Sequence, residues 1–168
     1  AASDVYKRQL EPERVRTALE RLAARWPADF PPLESVIEDF PAGRNALPSL
    51  LSVSQVSAEK IIQDPGWLLW LAQPEICMSE RGPRRMERDL EDERPPGFDP
   101  EFRALRRVKN RELLRIALRD VARLSTLEQT TLEISGIADL CVREVASAWL
   151  AELSRRWTAP ASDFCVIG

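Results

Sequence analysis

Apolar residues fall at helical spacings along most of this chain, and prolines cut the pattern into segments. Val15, Leu19, Leu22 and Ala23 recur at intervals of three and four, which predicts a helix opening near Glu11 with Pro12 in its first turn. Trp26 follows on the edge of that stripe, and Pro27 ends it. Pro27, Pro31, Pro32, Pro41 and Pro48 then leave room for one short helix, Leu33 to Phe40, in a segment that wraps rather than stands alone. Residues 49–63, SLLSVSQVSAEKIIQ, read as a helical stretch with a break among its serines. Asp64 as N-cap and Pro65 as first helical residue introduce a short, very apolar helix carrying Trp67, Leu68, Trp70 and Leu71, closed by Pro74.

The longest patterns lie in residues 99–157. Asp99 as N-cap, Pro100 at the first helical position and Glu101 in the first turn predict a helix reaching about Leu124. Phe102, Leu105, Leu113, Ile116, Ala117, Val121 and Leu124 share one broad face of it. Ser125, with Glu128 three residues on, fits a capping box for a second helix from about Thr126 to Trp157. There Leu127, Ile134, Ile137, Ala138, Cys141, Val142, Val145 and Trp149 share a face, a stripe of roughly 45 Å at about 1.5 Å per residue. Gly136 in its middle costs about 1 kcal/mol of propensity and marks a bend or a close helix crossing. The tight turn between the two implies an antiparallel hairpin. The expected fold is all-α: a helical bundle with two long antiparallel helices.

The ends read differently. Residues 1–9, AASDVYKRQ, do not flow into the first helix; SDVYKRQ resembles translated adapter sequence, and the alternative is a disordered native lead. Residues 158–162, TAPAS, form a linker, and DFCVIG at 163–168 reads as a strand entering a glycine turn. A single strand is not stable by itself. The expected organisation is a lead at 1–9, a helical domain at 10–158, and a linker with the first strand of a truncated second domain at 159–168.

Composition narrows the chemistry. The 168 residues suffice for one domain with a real core. With 24 basic and 27 acidic residues the net charge is −3, which fits a soluble protein and gives no global pull toward nucleic acid or an anionic membrane. No apolar run approaches the roughly 20 residues of a membrane span. Cys77, Cys141 and Cys165 are odd in number and far apart, which favours free thiols in a reducing cytoplasm. There is no histidine, so the commonest general base and zinc ligand and every Ser-His or Cys-His pair are excluded.

Charged side chains supply the remaining candidates. The run RRMERDLEDER at 84–94 mixes four basic with five acidic residues at helical spacing and reads as a solvated helix laced with ion pairs. A metal site from Asp89, Glu91, Asp92 and Glu93 is disfavoured, because the acids crowd around the helix and arginines interrupt them. Arg103, Arg106, Arg107, Lys109, Arg111, Arg115, Arg119 and Arg123 scatter around the first long helix, unlike the groove-facing side of a DNA reader. They suit ion pairs with neighbouring helices. Asp120 projects inside the apolar arc, where a carboxylate is costly unless paired. It reads either as a catalytic or ligand-binding acid or, the favoured reading, as a structural ion-pair member beside Arg123 or an arginine of a neighbouring helix. Asp139 is a second such acid facing the hairpin, and Arg119 and Arg123 complete the structural ion-pair set. Trp67 and Trp70 lie three apart on one helix face and read as core packing, with a ligand-stacking or partner site as the alternative.

The wording of residues 105–142 resembles the helical region of the glutamine synthetase adenylyltransferase family, also called glutamate-ammonia-ligase adenylyltransferase. The matching residues are Arg111 through Ile116, Arg119-Asp120, Leu127-Glu128 with Thr130, Ile134-Ser135 and Ala138-Asp139. Residues 54–71 resemble the preceding family segment, and Phe164 to Gly168 resembles the strand opening the family's nucleotidyltransferase domain. The resemblance covers about residues 50–168. It implies an enzyme of two halves, one removing AMP from a tyrosine of glutamine synthetase by phosphorolysis and the other attaching AMP from ATP. The wording is more similar to the N-terminal, deadenylylating half. It also implies Mg²⁺ with ATP or phosphate as cofactors, glutamine synthetase and the PII signalling protein as partners, and a cytoplasmic location. The family's metal-binding aspartates would follow Gly168, so no catalytic, cofactor or metal residue carries over and the expected role is an inactive helical scaffold. The competing reading is a free-standing helical interaction module that binds a protein through Trp67 and Trp70 or the helix at 84–94.

Overall fold

The structure, a computed structural model, describes residues 12–157. All regular structure among the described residues is helical: α1 (Pro12–Ala24), α2 (Leu33–Glu38), α3 (Ala46–Val53), α4 (Gln55–Gln63), α5 (Gly66–Leu71), α6 (Pro74–Cys77), α7 (Pro83–Glu93), α8 (Arg103–Val121) and α9 (Leu127–Arg156). The expected lead at 1–9 and the expected strand at 163–168 lie outside the described residues.

Prolines and serines place the breaks in the first half. The stretch at 49–63 does break among its serines: Ser54 ends α3, and its hydroxyl accepts the Ser57 N–H at 3.2 Å to cap α4. Trp26 turns the chain after α1, its indole N–H donating to the Pro31 carbonyl at 2.8 Å and its ring edge-on to Phe30. Pro74 does not close a helix but opens the one-turn α6, as its fixed φ permits.

The long helices start and stop differently from the sequence expectation. Asp99 does not cap α8. Its carboxylate accepts the backbone N–H groups of Glu101 and Arg103, at 3.1 and 2.6 Å, and so closes a separate turn that contains Pro100. Phe102 then takes a left-handed conformation (φ +50°), and α8 begins at Arg103. The helix ends at Val121, short of Leu124, in a Schellman arrangement. Leu124 N–H reaches the Arg119 carbonyl and Arg123 N–H the Asp120 carbonyl, with Arg123 at φ +58° in the position glycine usually fills. The capping box of α9 is shifted by one residue: Thr126 and Gln129 exchange the two bonds, while Ser125 pairs with the Thr130 hydroxyl.

α8 is the axis of the fold, packing on α3, α6, α7 and α9. On one side Leu114 and Leu118 join Leu22, Leu47, Leu50, Ile61, Leu68 and Leu71 from α1, α3, α4 and α5. On the other, Leu105, Val108 and Ile116 meet Met86 and Leu90 of α7 and Ile137 and Leu140 of α9. α7 crosses α9 at Gly136, where an added Cβ would lie 3.6 Å from Met86 and 3.7 Å from Pro83. The face expected to be buried on α9 divides. Ile137 is buried, Cys141 and Val145 pack partly, and Leu127, Ile134, Val142 and Trp149 are exposed. Trp149 still makes an edge-to-face contact with Phe98. No helix among the described residues is long and apolar enough to cross a membrane.

Candidate functional site: a buried arginine–carboxylate network

Arg103, Arg107, Arg111, Arg115 and Arg119 are spaced by four along α8. Helical geometry puts such residues in one row, and the last four of them meet acids from elsewhere in the chain. Arg107 pairs with Asp64 (3.2 Å) and Glu93 (3.3 Å). Arg111 pairs with Asp89 (3.2 Å) and Glu93 (2.8 Å). Exposure falls along the row: Arg107 is half-exposed, Arg111 nearly buried, and Arg115 fully buried.

Arg115 is the centre. Its Nε donates to Glu112 at 2.8 Å, one Nη to the Ser79 carbonyl at 3.2 Å, and the other Nη to Glu133 of α9 at 2.5 Å. Arg119 donates to the carbonyls of Cys77 (3.1 Å) and Leu124 (3.2 Å) and lies 3.8 Å from Glu133. Arg81, in the connection between α6 and α7, donates its backbone N–H to Glu133 and pairs its guanidinium with Asp89 at 2.7 Å. Its Nε also stands 3.1 Å from Glu112, an ion pair without hydrogen-bond alignment. Trp70 forms a wall, with the guanidinium of Arg111 4.7 Å and that of Arg81 5.7 Å from its ring centroid.

The arrangement is electrically balanced. Arg81, Arg107, Arg111, Arg115 and Arg119 face Asp64, Asp89, Glu93, Glu112 and Glu133, five charges of each sign. Guanidinium forks suit such planar, many-donor pairing. Chemically the network is a clamp. It ties the end of α6 at Cys77 and the α6–α7 connection, through Ser79 and Arg81, to both long helices. Cys77 beside it is buried, and that burial pushes its thiol pKa up, with Arg119 opposing in part.

The residues singled out from sequence divide. Arg119 is buried in the network. Asp120 is exposed and not inside a buried arc, and Asp139 and Arg123 are exposed as well. Glu112, Arg115 and Arg119 lie on the inward side of α8, and Asp120, about 100° further round the helix from Arg119, faces solvent. Trp67 and Trp70 are partly buried against the core, and Trp70 doubles as the cation–π wall. The helix at 84–94 is less solvated than expected, since Asp89 and Glu93 serve the network while Met86 and Leu90 are buried. Sequence reasoning missed the centre, Glu112–Arg115–Glu133. The spacing of arginines by four was the available signal. Nothing local marks Glu112 or Glu133 as buried.

Comparison with known proteins decides the family. Residues 44–168 match the family described as glutamate-ammonia ligase adenylyltransferase. The chain belongs to that family. Among curated relatives it is similar to the bifunctional glutamine synthetase adenylyltransferase/adenylyl-removing enzyme of Pseudomonas aeruginosa, at 31% identity over 135 residues. That match covers 79% of this chain and 12% of the relative, so the chain spans about an eighth of the relative's length. No solved structure matches. Every residue of the network lies inside the span that matches the adenylyltransferase family. The described residues do not fit a Mg²⁺ ion. No three Asp, Glu, Cys or His among them are grouped to hold a metal, and the network carboxylates already face guanidinium groups.

Proposed function

We propose that this chain is the helical scaffold of an enzyme that attaches AMP to glutamine synthetase and removes it, and that the scaffold itself carries no catalytic residue. The family match over residues 44–168 carries this reading. In this proposal α8 and α9 form an antiparallel hairpin. Two contacts support it: Phe98, just ahead of α8, meets Trp149 late in α9, and Arg115 late in α8 meets Glu133 early in α9. The buried network fixes the register of that hairpin and anchors the α6–α7 connection to it. Residues 159–168 open the nucleotidyltransferase domain, which would supply the Mg²⁺, ATP and phosphate chemistry. The chain belongs to the N-terminal, AMP-removing half, works in the cytoplasm, and meets glutamine synthetase and the PII protein as part of the whole enzyme.

The test uses the full product of the reading frame. Incubated with adenylylated glutamine synthetase and phosphate, it should release AMP as ADP, and the 168-residue chain alone should not. A full-length product that neither removes nor attaches AMP would reject the reading. An active 168-residue chain would reject the scaffold role.

A further inference from the structure

α9 has two apolar faces: among the described residues one is buried, and the other is exposed, with Trp149 edge-on to Phe98. The inner face holds Ile137 and Leu140, both buried against α7 and α8. The outer face shows Leu127, Ile134, Ala138, Val142, Trp149 and Leu153, all exposed. Their spacing is regular. Leu127, Ala138 and Trp149 follow one another at eleven residues, and Val142 and Leu153 are also eleven apart. An eleven-residue repeat is about 3.67 residues per turn, so the stripe drifts little around a nearly straight helix. From Leu127 to Leu153 it runs on the order of 40 Å at about 1.5 Å per residue. Thr131, Ser135 and Ala146 fill the gaps, and between Glu128 and Glu152 the stripe carries no charged side chain. A solvent-facing stripe of a surface helix ordinarily holds charged and polar residues, and a continuous apolar patch of this kind marks an interaction surface.

We infer that the outer face of α9 is the seat of another part of the same polypeptide, one that presents a neutral, apolar surface to it. The inference rests on the proposed function, because the occupant is the remainder of the adenylyltransferase. The length of that remainder supports it: the Pseudomonas aeruginosa relative is about eight times longer than the segment matched here, and the matched family span runs through all of α9 and past it. The neutrality of the stripe sets the chemistry of the occupant. A charged partner such as nucleic acid or an acidic peptide would find no counter-charge between Glu128 and Glu152. Ala138 and Ala146, with small side chains, let an apposed backbone or helix come close.

Hydroxyl-radical footprinting of the full product of the reading frame tests this, because it reads side-chain access residue by residue and α9 holds its own standards. Ile137 and Leu140 set the buried rate. Leu132, 66% exposed and off the stripe, sets the exposed rate. With each rate scaled by the side chain's intrinsic reactivity, the expected result is that Ile134 and Val142 react several-fold more slowly than Leu132 and approach Ile137. Rates equal to that of Leu132 would overturn the inference. Protection that disappears on dilution would also overturn it, by assigning the face to a second copy. An enzyme without AMP-transfer activity whose outer face is nonetheless protected would reject the proposed function and leave the intramolecular docking standing.

Discussion

The two sides of α8 pack by different means. Toward α1, α3, α4 and α5 the helix offers Leu114 and Leu118 to a core of aliphatic side chains. Toward α7 and α9 it sets Leu105, Val108 and Ile116 in a second apolar cluster, and beside that cluster it buries Glu112, Arg115 and Arg119 in the ionic network. The aliphatic side gains roughly 1.5–3 kcal/mol for each large side chain removed from water, with little demand on direction. The ionic side gains little net energy, because desolvating the charges offsets most of their attraction. It is directional instead: Arg115 fits only where Glu112, the Ser79 carbonyl and Glu133 sit at the three corners of its fork. One region supplies stability by area, and the other supplies alignment that fails when any member is lost.

The largest effect should come from breaking the ionic side. Arg115→Met leaves Glu112 and Glu133 short of their central partner and should cost about 3–5 kcal/mol in denaturant unfolding. Leu50→Ala on the aliphatic side should cost about 2–5 kcal/mol through the cavity it leaves. The two losses differ in how they can be repaired. Adding Glu112→Leu to Arg115→Met removes one charge of each sign, leaves Arg81 paired with Asp89 and Arg119 beside Glu133, and should recover most of the loss, whereas nothing so simple repairs Leu50→Ala. A double variant no more stable than Arg115→Met would mean that the ionic side contributes real energy as well as alignment, and the contrast would collapse.

That contrast also sets what could be read from the sequence. The aliphatic side was legible, because Leu19, Leu22, Leu68 and Leu71 follow helical spacing and prolines and Ser54 mark the breaks between helices. The ionic side was not. Arg115 and Glu112 look like surface residues in any periodicity argument, and their burial rests on partners distant in sequence: Glu133, eighteen residues from Arg115, with Arg81 and the Ser79 carbonyl. Asp120 departs from expectation on another ground: helical spacing runs the apolar arc of α8 through Leu113 and Val121, yet Leu113 is 37% exposed. The helix starts went astray locally. Asp99 has the chemistry of an N-cap but spends it on a turn two and four residues ahead. The two-faced nature of α9 was hidden in a single list of apolar positions, because a stripe facing solvent and a stripe facing the core look alike when only spacing is counted.

Smaller effects sharpen the comparison along α9. Thr126→Ala removes one bond of the capping box at the start of α9 and should cost about 1 kcal/mol. Gly136→Ala should do the reverse. Its added methyl meets Met86 and Pro83 at ordinary contact distance, so the helix gains propensity without a clash, worth about 0.5–1 kcal/mol. Loss of stability in Gly136→Ala would show that the crossing of α7 over α9 is tighter than contact distances indicate, and would make glycine there a packing requirement.

The smallest effect expected is a pH dependence at the seam between the two regions. Cys77 closes the aliphatic cluster while its carbonyl accepts from Arg119 of the ionic one. Burial raises its thiol pKa in the folded chain, and the Arg119 charge only partly opposes this. Cys141, half-buried on α9, is shifted the same way by burial. A thiol whose folded pKa lies above its unfolded value favours folding while it is protonated. As pH rises through the ordinary thiol range the unfolded chain ionises first, so stability should fall between the unfolded and the folded pKa. Denaturant midpoints followed from neutral to alkaline pH should decline gently, and Cys77→Ala should flatten the decline while lowering the starting value. An unchanged slope in Cys77→Ala would assign the alkaline loss to other groups. Reaction with a thiol reagent separates the two cysteines: Cys141 should react in the folded chain, and Cys77 only at the rate at which the packing around Arg119 opens.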